Sequence, residues 1–296
     1  MPGPHKPSTH RRIQVAFGLA LAGLCYLEIS TQEYEPVLTQ RSAVVFAGSR
    51  APTDPVEKML RENPLAALIE LRAQHVQEVK DYTCTLVKQE VLPSSGLGAE
   101  QEIEVLFRQE PYSVVFHWVR NAGLANRVIY VKGRWVNADA DNPAEREQAL
   151  CQPGTLGAVF LKSIKMPIHG PMARDTARRS LDEFGFKRTL DLLIKYCEIA
   201  KTRGELALEF RGEARFDGRP VWVLHRHLPY TGEGGTYPDR TAEIYIDKEL
   251  RIPVAVYCYS DSEQKPAHLL GKYEYRNIRL NAGLTDAEFD PATYGM

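Results

Sequence analysis

The chain has 296 residues, 44% of them hydrophobic and 25% charged, with a formal net charge of -1. That apolar fraction sustains a sizeable core, in one large domain or two ordinary ones. The balanced charge supplies no global basic field, which speaks against nucleic acid as a partner.

The start of the chain is the most informative stretch. His5, Lys6, His10, Arg11 and Arg12 precede an apolar run from Ile13 to Leu27, interrupted only by Gln14 and extendable to Ile29. A basic flank followed by such a run is the form of a secretory signal or a short membrane anchor. The basic side stays in the cytoplasm, so the remainder is placed outside it. The other reading is a buried helix of a cytoplasmic domain; the polar tether that follows weighs against it. Leu24 before Cys25 departs from a lipoprotein signal, which wants a small residue there. The expected division is residues 1–31 as signal peptide or anchor, 32–54 as linker and 55–296 as one domain. The expected location is periplasmic, or anchored in the inner membrane facing the periplasm.

Beyond the export segment lie Cys84, Cys151, Cys197 and Cys258, an even number at wide, irregular spacings. An oxidising compartment permits a disulfide among them, and buried free thiols fit the sequence equally well.

Asp54-Pro55 and Asn63-Pro64 each place a side-chain cap before proline, predicting a short helix and then a second from Pro64. Leu65, Leu68, Ile69, Val76 and Val79 give the second helix one apolar face. From Tyr82 the period changes to two: Tyr82, Cys84 and Leu86; Ile103, Val105 and Phe107; Tyr112, Val114, Phe116 and Trp118. Lys132-Gly133 predicts a tight hairpin between 128–131 and 134–137. Residues 164–171 read as irregular. Ser180-Leu181-Asp182-Glu183 has the form of a capping box opening a helix that carries Leu190, Leu193, Ile194 and Cys197 and stops at Gly204. Asp217-Gly218 marks a hairpin, Asp247-Lys248-Glu249 a turn, and Leu269 to Leu280 a long last strand. About nine or ten antiparallel strands with helices before and between them make an α+β fold.

The closing third resembles the periplasmic lipoprotein-carrier (LolA/LolB-like) superfamily. The residues that carry this are Ala242-Glu243-Ile244-Tyr245-Ile246-Asp247, then Arg251-Ile252-Pro253-Val254 after the turn. Tyr273-Glu274-Tyr275-Arg276-Asn277-Ile278-Arg279-Leu280-Asn281 and Leu284-Thr285-Asp286-Ala287-Glu288-Phe289 continue the pattern. Tyr82 to Glu90 with Phe107 to Val114 is similar to an uncharacterised bacterial envelope family of that type. The resemblance implies a curved antiparallel sheet, an incomplete β-barrel with helices covering its concave face. In known members that concavity shelters acyl chains. No family ligand residue aligns with a position here, so none is carried over.

Aromatic residues on the predicted strands are the candidate cavity lining: Phe107, Phe116, Trp118, Phe210, Trp222, Tyr257 and Tyr273. The same residue types also fill a helix-covered core, so the pattern has two meanings. His225 and His227 share a strand face and suggest a metal site with His117 or His268 as third ligand; solvent-facing strand histidines are the commoner case. Asp239, Glu243 and Asp247 offer carboxylates without a spacing that sets them apart from turn residues. No nucleophile-elbow, zinc-protease or phosphate-loop motif occurs, and Gly232 to Gly235 lacks the strand-then-helix setting of a phosphate loop. The expectation is a non-enzymatic envelope protein, without metal or cofactor, that binds acyl chains or a lipidated protein. Residues 13–29 would associate it with the membrane. The alternatives are a protein-binding sensor or scaffold on the same fold and a metal-dependent hydrolase.

Overall fold

The structure, a computed structural model, describes residues 34–37, 52, 54–93, 95–154, 161–232 and 234–296. The export segment, Cys25 and most of the linker lie outside the described residues, as does part of the Gly232–Gly235 loop. No described helix is long and apolar enough to cross a membrane.

Two helices come first, α1 (Pro55–Glu62) and α2 (Pro64–Glu78). Asp54 caps α1 by accepting the Val56 N–H at 2.8 Å, and Asn63 caps α2 by accepting from Ala66 at 3.1 Å. Asp54 also takes the Arg251 guanidinium at 2.6 and 3.2 Å, which ties α1 to the turn before a late strand. Burial alone would raise the Asp54 pKa; the Arg251 hydrogen bond and the Val56 N–H hold it below the usual range. Asp54→Ala removes cap and ion pair together and is expected to cost about 1–2 kcal/mol, read as a lower urea midpoint. An unchanged midpoint would show that neither contact holds α1.

The strands are β1 (Asp81–Leu92), β2 (Gly96–Leu97), β3 (Gln101–Arg108), β4 (Ser113–Arg120), β5 (Ala125–Val131), β6 (Gln148–Pro153) and β7 (Ile164–Pro167). After α3 (Pro171–Thr176) and α4 (Phe186–Arg203) come β8 (Ala207–Phe216), β9 (Arg219–His227), β10 (Thr241–Asp247), β11 (Pro253–Tyr259) and β12 (Leu269–Leu280). They form one open antiparallel sheet in the order β7-β6-β5-β4-β3-β1-β12-β11-β10-β9-β8, with β2 hairpinned onto the end of β1. The α+β curved sheet with helices on it is the expected fold, with twelve strands among the described residues rather than nine or ten.

Three expectations are corrected. Lys132-Gly133 is a turn, but 134–137 forms no strand: only Val136 bridges, to Glu147, and β5 pairs instead with β6. Residues 164–167, read as irregular, are the edge strand β7 against β6. The Ser180 capping box is real but closes a single 3-10 turn, Leu181–Glu183; the long helix begins at Phe186 behind Gly185. Asp217-Gly218 does make the β8–β9 hairpin, both residues taking left-handed backbone (φ 50° and 76°). The four described cysteines are free thiols, Cys84 and Cys197 among the buried ones.

Register sorts the side chains into two faces. Cys84, Val105, Phe116, Val128 and Cys151 make one lateral row on the inner, helix-covered face. Leu224, Ile244, Val256 and Tyr273 continue that face in the other half. Leu60, Leu68 and Leu71 from α1 and α2, with Leu190 and Leu193 from α4, pack on Trp222, Leu224, Ile244 and Val256. On the outer face, Leu106, Val115 and Ile129 are covered by Leu284, Phe289 and Tyr294 from the C-terminal turns.

Candidate ligand cavity

The inner face of β1, β3, β4 and β5 carries a group of aromatic rings. Tyr82 stacks on Phe107 with centroids 4.7 Å apart, and Phe116 meets Trp118 edge-on at 5.8 Å. Among the described residues, what covers Phe107 and Phe116 is the short turn before α4. Its Phe184 ring lies 4.8 Å from Phe116 and 6.0 Å from Phe107, both edge-to-face. The Tyr112 hydroxyl fixes that turn, reaching the carbonyl oxygens of Leu181 and Phe184 at 2.7 and 2.9 Å. Phe186, the first residue of α4, then packs 4.5 Å from Tyr82 and 4.9 Å from Tyr275.

Between the two phenylalanines, Gly185 takes φ +108°, and a Cβ there would sit 3.1 Å from the Phe107 ring and 3.2 Å from the Tyr82 hydroxyl. Only glycine lets the turn press this closely on the sheet.

The seven candidate lining residues do not share one wall. Phe107 and Phe116 stand under Phe184, with Trp118 against Phe116. Trp222 is buried beneath the first helices with the Arg251 guanidinium 4.7 Å over its ring, and Phe210 packs in the same cluster under Arg61. Tyr273 faces inward, and its hydroxyl donates to Glu90 at 2.7 Å. Tyr257 pairs with Lys272 in register and so lies on the outer face, where its hydroxyl donates to Glu274 at 2.7 Å.

The inner face is polar at its β1 end. Lys88 donates to Glu90 at 2.7 Å. Burial alone would raise the Glu90 carboxyl, but the charge of Lys88 and its hydrogen bond hold it below the usual range. A cleft of about 170 Å³ opens there, lined by Tyr34, Lys88, Glu90, Leu97, Asn121 and Thr176. A smaller one, about 90 Å³, lies at the other end beside His75 and Leu250. None of the seven aromatics lines either, and both fall short of the about 300–1,000 Å³ of ordinary ligand pockets.

The other candidates resolve into structural contacts. His225 faces the Arg211 guanidinium at 3.4 Å, and burial first, then Arg211, lowers its pKa. His227 meets Ser262 at 3.3 Å, His117 meets Glu104 at 2.9 Å, and His268 meets Ser260 at 3.3 Å. Among the described residues no three His, Cys, Asp or Glu side chains gather as metal ligands. Asp239 is the buried partner of Arg226 at 2.6 Å, and Asp247 receives Arg219 while capping the turn at Glu249 and Leu250. Sequence reasoning missed Phe184, hidden in the presumed helix. The signal for it was Gly185, a residue out of place within a helix.

The family of proteins of unknown function DUF1571 matches residues 79–294, the stretch from the end of α2 to the C-terminal turns. The chain is a DUF1571 protein. No curated protein matches it. Among solved structures it is similar to MucB, at 13% identity and TM-score 0.44 over 77% of this chain and 62% of that one. It is also similar to MucB in its complex with MucA from Pseudomonas aeruginosa, at 12% identity and TM-score 0.42 over 77% of this chain and 60% of that one. The lipoprotein LppX of Mycobacterium tuberculosis aligns at 12% identity and TM-score 0.40 over 76% of this chain and 98% of its own. The DUF1571 chain thus spans about three-fifths of the length of the MucB chains.

Proposed function

We propose that this DUF1571 protein is a non-enzymatic envelope protein that binds an acyl chain, or a protein segment bearing one, in the concavity of its sheet. It would be exported, with residues 13–29 cleaved or kept as an anchor. One observation carries the reading: among the described residues, the aromatic inner face of β3 and β4 lies under a one-turn segment whose Phe184 ring meets both Phe107 and Phe116. Over the other half, by contrast, full helices bury an interlocked leucine layer. Phe184 is thus the part of the interior that an apolar ligand replaces, with Trp118 beside the vacated place.

The test is fatty-acid binding to the delipidated chain, followed by tryptophan fluorescence. Each buried methylene contributes about 0.8 kcal/mol, and ordering costs take back part of it. A sixteen-carbon acid is therefore expected to bind roughly a hundredfold tighter than an eight-carbon one. Trp118→Phe should abolish most of the signal and Trp222→Phe should keep it, because Trp222 lies in the separate cluster under α1 and α2. Phe184→Ala should tighten binding by removing the resident ring. Binding that ignores chain length, or none to a chain shown to be folded and lipid-free, would remove this reading and put the protein-binding scaffold in its place.

A further inference from the structure

One end of the sheet collects the β1–β2 hairpin, the 121–124 turn after β4, and the first residue of β7. At this end the main chain of the described part of the linker, residues 34–37, is held by buried polar side chains of the outer face. The Gln89 carboxamide accepts the Val37 N–H at 2.8 Å and donates to the Glu35 carbonyl at 2.9 Å. The Lys272 ammonium donates to the Val37 carbonyl at 2.8 Å, and it is itself paired with Glu100 at 2.5 Å. Gln89 and Lys272 are each 1% exposed. The three contacts from Gln89 and Lys272 to the linker all go to its main chain.

The apolar run ends at Ile29, five Cα steps before Tyr34. Five steps span at most about 18 Å. A clamp this close to the run dictates which end of the domain meets a bilayer that holds the run. That end also exposes apolar side chains: Val37 and Val119 at 47% and Ile164 at 42%. Exposed Lys162 and Lys165 stand beside Ile164. Apolar tips with lysines suit the boundary between acyl chains and anionic headgroups.

We infer that the Gln89–Lys272 clamp holds this end of the sheet, with Val119 and Ile164, against the lipid surface of the membrane in which residues 13–29 are anchored. The inference rests on the anchored form of the export reading and is independent of acyl binding in the concavity.

The full chain is reconstituted in 3:1 phosphatidylcholine–phosphatidylglycerol vesicles with and without brominated acyl chains. Tryptophan is introduced as Val119→Trp, Ile164→Trp or Val136→Trp; Val136 is 56% exposed and follows β5 at the opposite end. After subtraction of the unsubstituted chain, bromolipid quenching at the first two positions should exceed that at Val136→Trp at least twofold. Val37→Pro deletes the N–H given to Gln89 at an exposed position, and should reduce that quenching by half or more while the chain still co-floats with vesicles. Equal or greater quenching at Val136→Trp overturns the orientation. Quenching indifferent to Val37→Pro overturns the role of the clamp. A chain that does not co-float removes the anchor and this inference with it, and leaves the fatty-acid measurements standing.

Discussion

Lowering the pH from 7.5 to 4 is expected to cost the domain about 3 kcal/mol of stability through one residue, His75. Its imidazole is buried at 4% exposure between α2 and α4, edge-on to Phe186 at 6.0 Å. Burial, and next the charge of Lys187, bring its pKa down from 6.5 to about 4. In the unfolded chain the ring regains the higher value, so below it protons bind the unfolded state first. The stabilisation is complete above pH 6.5 and drains away as pH falls to 4. Carboxylates such as Asp54, Asp191 and Asp247, all with lowered pKa, lose theirs only below the ordinary carboxylate value. Urea unfolding of the chain and of His75→Leu, across this range, isolates the effect. The variant's curve should fall less steeply from pH 7.5 to 5 than the parent's, keeping only the share of His225, whose pKa burial also lowers; parallel curves would show that His75 does not titrate between the two states.

Gly185→Ala is expected to destabilise by about 3 kcal/mol, joining left-handed backbone strain to overpacking against Phe107 and Tyr82. Gly204, which ends α4, is the internal control: its φ is +70° and nothing stands within 4 Å of a Cβ there. Gly204→Ala should therefore cost only about 1 kcal/mol. Equal costs would mean that the turn relaxes freely and that Phe184 is not pressed into the sheet. Under the proposed function a second change follows. Weakening the closed arrangement raises the fraction of chains able to accept a ligand, so Gly185→Ala should bind a sixteen-carbon acid about tenfold tighter.

What the sequence could show follows from where its information is local. Asp54-Pro55, Asn63-Pro64 and Asp217-Gly218 act through their own backbone, and each sits where it was expected. The last strand, Leu269–Leu280, is long and half-buried along most of its length, and its bounds are met. β6 and β7 were not seen because they pair at the sheet margin through main chain, and Ile164 and Lys165 are exposed. The helix start was displaced because a capping box marks a turn without saying how far it propagates.

The cavity residues were harder still. Alternation within a strand tells which neighbours share a face, but not which face it is. Tyr257 and Tyr273 look alike in sequence and point to opposite sides because Tyr257 is set across from Lys272. Nor does composition reveal that Lys272 and Glu274 are buried, since a charged strand residue reads as solvent-facing until its partners are placed.

The sheet order has a consequence for how the chain is made. β1 lies in the middle and is completed by β12, the last strand, through pairs running from Tyr82–Leu280 to Glu90–Gly271. β1 and β3 to β7 form one meander and β8 to β12 another, and among the described residues this is the one strand pairing that joins them. A ribosome adds about 5–20 residues per second, so roughly 10–40 s separate the appearance of Leu92 from that of Leu280. Throughout that interval one side of β1 is an open row of hydrogen-bonding groups, the kind of edge on which nascent chains associate. The half-finished protein therefore carries its greatest hazard in its most central strand, and the hazard ends only when the final strand arrives.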